Sequence, residues 1–147
     1  MRIVLAALLV AGRLTAQDSG FAAMQARGKM AMGVDQYTSQ HHFEPLPDGG
    51  RIMLQRDAAD TAGTTAIREH LKDIAMRFRA GDFAIPGFVH AQEVPGTRVL
   101  AGRRETIRYV FHPLPGGGEV RIVTKDAAAV AAVHQFLAFQ RSEHHVH

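Results

Sequence analysis

Two stretches decide the fold: Phe43-Glu44-Pro45-Leu46-Pro47-Asp48-Gly49-Gly50 and Phe111-His112-Pro113-Leu114-Pro115-Gly116-Gly117-Gly118. They align without a gap, and six of the eight positions are identical. In each, an apolar residue leads into prolines and glycines, the chemistry of a strand running into a turn. What surrounds them matches as well. Arg51-Ile52-Met53-Leu54-Gln55-Arg56 and Glu119-Val120-Arg121-Ile122-Val123-Thr124 read as the returning strands. Asp57 or Asp60 caps a helix carrying Ile67, Leu71, Ile74 and Phe78 at helical spacing. Asp126 caps another through Val130, Val133 and Leu137 to about Gln140. The order ββα therefore occurs twice, an internal duplication.

Two such units predict an α+β fold. Their hairpins join into one four-stranded antiparallel sheet, with both helices on one face. Unit one spans 41–80 and unit two 106–147. Between them, 81–105 carries Phe83, Ile85, Pro86, Phe88 and Val89. That is too apolar for a free linker, and it is expected to pack on the core. Residues 17–40 have weak periodicity and read as a leader or extended arm.

The first residues run Met-Arg and then Ile3 to Gly12 without a charge. One basic residue before a short apolar run is the pattern of a signal peptide, expected over 1–16. The run is too short for a stable membrane span, which takes about 20 residues. An exported protein, periplasmic or secreted, is the expectation. The chain has 17 basic and 14 acidic residues, and 1–16 holds two of the basic ones and none of the acidic. The remainder is nearly neutral, with no cluster of Lys and Arg interleaved with aromatics, which argues against nucleic-acid binding. An exposed edge strand leaves a homodimer open.

There is no cysteine. That excludes disulfides, thiolate metal sites, iron–sulfur clusters and c-type haem. Nine histidines in 147 residues stand out instead. Neutral imidazole is the commonest side-chain ligand of transition metals. Strand alternation puts His41 on the face of Phe43, toward the helices, and His42 on the other. His70 lies between Ile67 and Ile74, and His134 between Val130 and Leu137, so both share the apolar side of their helices. They also fall at matching places in the two units. His41, His70 and His134 are therefore expected to converge, with His90 from the apolar linker as a fourth ligand. His144, with His145, can fold back from the end of the last helix. His42 is a lesser candidate.

Imidazole without thiolate suits copper or zinc, and the thioethers of Met24, Met30, Met32 and Met53 favour copper. Two alternatives use the same place. One is haem b in an apolar cleft with an axial histidine. The other is a small zinc-dependent hydrolase with Glu69 or Glu44 as base. A metal-free interaction module on the open sheet face is the remaining reading.

With Met32-Gly33-Val34-Asp35-Gln36, His41-His42-Phe43, Ile67-Arg68-Glu69-His70-Leu71, Gly81-Asp82-Phe83 and His134-Gln135-Phe136-Leu137 on the page, the chain resembles a group of small exported bacterial proteins. Some of that group carry the name aspartate carbamoyltransferase. This chain has no Ser-Thr-Arg-Thr phosphate loop and is much shorter than such a catalytic subunit. The resemblance therefore implies export and assigns no catalytic residue.

Overall fold

Ile52 and Val120 hold the same place in the two copies of the repeat, and they pair with each other at the centre of the sheet. In a computed structural model, the backbone is described for residues 8–144 and the side chains for residues 19–144. The elements are α1 (Leu8–Met32), β1 (Gln40–Leu46), β2 (Gly49–Gln55), α2 (Thr61–Arg79), α3 (Ala84–His90), α4 (Thr97–Gly102), β3 (Ile107–Leu114), β4 (Gly117–Thr124) and α5 (Ala127–Glu143). The fold is α+β, with one antiparallel sheet in the order β1-β2-β4-β3.

The register makes the duplication visible. Phe43 pairs with Ile52, Ile52 with Val120, and Val120 with Phe111. Phe43 and Phe111, like Ile52 and Val120, are repeat counterparts, so a pseudo-twofold axis passes between Ile52 and Val120. Two further rows are related by that axis. One is His41, Leu54, Gly118 and Pro113. The other is Tyr109, Ile122, Gly50 and Pro45. His41 is thus the counterpart of Tyr109.

Each helix crosses to the other unit. α2 packs on β3 and β4, and α5 on β1 and β2. Phe78 of α2 meets Tyr109 edge-on at 5.6 Å between ring centres. Leu137 and Val133 of α5 press on Gly50, where a Cβ would lie 2.4 Å from the Leu137 side chain. Gly50 and Tyr109 share a row, so both helices cover one face. The other face shows His42, Glu44, Arg51 and Val110 to solvent or half so. There, Arg51 pairs with Glu44 at 2.6 Å, a surface ion pair worth at most about 1 kcal/mol. The core between sheet and helices includes Ile67, Phe78, Tyr109, Val120, Phe136 and Leu137, all essentially inaccessible. Fully burying each such side chain contributes roughly 1.5–3 kcal/mol.

The caps fall at Asp60 and Asp126, as expected. Asp60 accepts from the Gly63 N–H at 2.8 Å, and Asp126 from the Ala128 N–H at 2.9 Å. The linker packs, also as expected. Val94 and Leu100 are buried, Phe83 stacks on Phe78 at 4.3 Å, α3 lies on α1 and α4 on α5.

The segment 17–40 differs from the expected extended arm. Down to Met32 it is helical, with Met24, Gln25, Gly28 and Met32 buried at helical spacing. Two of those four are polar or lack a side chain, which is why no apolar period marks the helix. Of the expected signal segment, residues 1–7 lie outside the described residues, and α1 begins at Leu8. No helix among the described residues is long and apolar enough to cross a membrane.

Candidate functional site

Between sheet, α1, α2, α3 and α5 lies a cleft enclosing about 600 Å³, part of it open to solvent. Its walls are mostly apolar, including Met32, Phe43, Leu54, Ile74, Phe78 and Phe136. Four imidazoles break that surface: His41 of β1, His70 of α2, His90 at the end of α3 and His144 at the end of α5.

His41 and His144 stack, ring centres 5.0 Å apart and planes 16° from parallel. His41 also lies over Phe43 at 6.1 Å. His144 meets His90 edge-on at 5.2 Å, so it stands between His41 and His90. His90 Nε2 is 2.9 Å from Gln140 Oε1. With the amide oxygen accepting, Nε2 carries the hydrogen and Nδ1 the lone pair. That Nδ1 is buried without a hydrogen-bond partner and lies 3.9 Å from a Glu143 carboxylate oxygen. The main chain of Ala31 lies near His70 and favours its protonated form.

Burial disfavours the protonated form of three of these rings. His41 is pushed down from 6.5 to about 4, first by burial and then by the neighbouring His70 and His42. Burial lowers His70 against the opposing pull of Asp73 and the Ala31 carbonyl. Burial also lowers His90, against the Gln140 hydrogen bond and Glu143. Neutral imidazole is the form that binds metal.

His134 does not join them. Its Nε2 donates to the Leu46 carbonyl at 2.9 Å, at the far end of β1 from His41. The expected convergence of His41, His70 and His134 is corrected on this point, and the caps give the reason. His134 stands eight residues past Asp126, and Arg68 stands eight past Asp60. Arg68 donates to the Leu114 carbonyl at 2.9 Å, the repeat counterpart of Leu46. His134 is therefore the counterpart of Arg68, and both tether a helix to a hairpin. His70 stands ten past its cap and corresponds to Phe136.

The same count gives the cleft its character. Phe78 and His144 each stand eighteen residues past their caps. In unit two's hairpin, Tyr109 is closed over by Phe78. In unit one's hairpin, His41 is closed over by His144. Fourteen past the caps, Gln140 is the counterpart of Ile74. One half of the duplicated core keeps a Phe–Tyr pair and an isoleucine, and the other has two imidazoles and an amide at those places.

The remaining candidates lie elsewhere. His42 is exposed and lines a more open, polar depression beside the cleft. His112 is exposed, and His145 and His147 lie outside the described residues. Of the methionines, Met32 lines the cleft, while Met30 is exposed. Neither expected base reaches it: Glu69 is exposed, and Glu44 is paired with Arg51. Among the described residues, no group of three or more His, Asp or Glu side chains is arranged to hold a metal ion. No protein-family model, no curated protein and no solved structure matches the chain.

Proposed function

We propose that this is an exported protein that captures a transition-metal ion, copper before zinc, with the imidazoles of the cleft. The ligands are His41 and His144, joined by His90, with His70 lining the same space. The observation that carries the reading is the replacement of the Phe78–Tyr109 pair by the His144–His41 pair at equivalent places in a duplicated core. Both imidazoles are half-buried, and apolar aromatics would fill that space without ring nitrogens to satisfy.

The spacing supports it. Two imidazoles on one tetrahedral ion, each nitrogen about 2 Å from the metal, put their ring centres roughly 5 Å apart. The His41–His144 and His144–His90 separations are 5.0 and 5.2 Å. Stacked rings direct their in-plane lone pairs side by side, so capture requires the His144 ring to turn. Burial disfavours protonation of His41 and His90, which lessens the competition between proton and ion. The Met32 thioether on the same wall favours copper over zinc.

A second reading, haem b, is favoured by the apolar wall around the imidazoles. Metal analysis and the visible spectrum of untagged protein, purified without a nickel column, separate the two. About one copper per chain and no Soret band is the expected result for a site of this kind. A Soret band with iron supports haem, and neither metal nor haem after loading sinks both.

A further inference from the structure

The apolar cleft and the polar cavity beside it share three residues: Gln36, His41 and His144. Gln36 opens the short 3-10 turn after Asp35, whose carboxylate accepts from the Tyr37 N–H at 2.9 Å. Although polar, Gln36 is 8% exposed, and its Oε1 is buried with no hydrogen-bond partner. An apolar residue would avoid the cost of leaving that acceptor unsatisfied. The amide is held in place from α1. Its nitrogen end lies across Gly28, where a Cβ would come within 1.6 Å of Nε2. Any residue but glycine at 28 would push this side chain away.

We propose that Oε1 of Gln36 is an oxygen ligand of the bound ion, completing a nitrogen–oxygen site with His41 and His144 where the two cavities meet. The assignment rests on the metal-binding reading and extends it. An amide oxygen is a ligand that copper accepts beside imidazole. Gln25 supplies the contrast. It too is buried with an unpartnered Oε1, but it lines the polar cavity alone.

The test is titration of the full chain with Cu(II) alone, in wild type and in Gln36→Leu, Gln36→Glu, Gly28→Ala and Gln25→Leu. Circular dichroism and melting confirm that each variant is folded. Gln36→Leu is expected to weaken binding about tenfold or more, and Gly28→Ala to weaken it by displacing an intact amide. Gln36→Glu, which keeps an oxygen in place, is expected to bind at least as tightly as wild type. Gln25→Leu is expected to stay within about threefold of wild type. Unchanged affinity in Gln36→Leu overturns the assignment while leaving the metal reading intact. So does an equal loss in Gln25→Leu. A wild type that binds no copper overturns both.

Discussion

His144 bears to His41 the relation that Phe78 bears to Tyr109. Each pair joins the last turn or end of a helix to the edge strand it covers, at 5.0 and 5.6 Å between ring centres. The pseudo-twofold axis between Ile52 and Val120 carries one pair onto the other. On the proposed reading, the difference between them separates a purely structural half of the core from one that supplies ligands.

That difference predicts a trade of function for stability. His41→Phe with His144→Phe restores an aromatic pair and leaves out the phenol oxygen, which on Tyr109 is buried without a partner. Added apolar burial should stabilise the fold by about 1–2 kcal/mol, a rise of several degrees in Tm. Thermal unfolding of the metal-free protein checks it. A lowered Tm would show that the imidazole pair is itself the better core.

His134 should behave as a structural residue. His134→Ala removes the tether to the Leu46 carbonyl and should cost about 1 kcal/mol by urea unfolding. Copper affinity of the folded variant should match wild type. A loss of affinity as large as that of His41→Ala would return His134 to the site.

Stability should fall with acid in a defined window. The folded chain holds His41 at about 4, while the unfolded chain takes up the proton near 6.5. Between those values the unfolded state binds more protons. The contribution is therefore complete above about pH 6.5 and lost as the pH drops toward 4, at up to about 1.4 kcal/mol per pH unit for one group. His70 and His90 shift in the same direction. The depressed carboxyls of Asp48, Asp82 and Asp126 start from 3.8 and act below this window. Urea unfolding from pH 7.5 to 4.5 should show the decline, and His41→Phe should flatten it. Equal slopes in both proteins would refute the burial of a neutral His41.

The linker should be a structural element. Gly96 has φ of 85°, and a Cβ there would lie 2.3 Å from the Ala132 carbonyl oxygen of α5. Gly96→Ala should cost about 2–4 kcal/mol through strain and displaced packing. A Tm within a degree of wild type would contradict that close approach.

The hairpins, the caps and the order of elements were legible because turn residues and strand alternation are local signals. The inward face of α5 was not. Ala127 to Val133 is apolar on every side, so it offers no period, and Val130 and Leu137 suggested a face that included His134. The buried stripe in fact runs through Ala129, Val133, Phe136, Leu137 and Gln140. Counting from Asp60 and Asp126 instead of from apolar residues would have matched His134 with Arg68. α1 was hidden because its buried face is Met, Gln and Gly. The inward turn of His41 followed from alternation. The meeting of His90 and His144 beside it depends on where α3 and the end of α5 come to rest, which no local pattern records.

The most direct test is calorimetric titration of untagged protein with Cu(II), comparing wild type, His41→Phe/His144→Phe and His145→Ala/His147→Ala. The account predicts one saturable site in wild type, its loss in the first variant and its retention in the second. Binding that survives loss of the stacked pair and disappears with the two terminal histidines would contradict it.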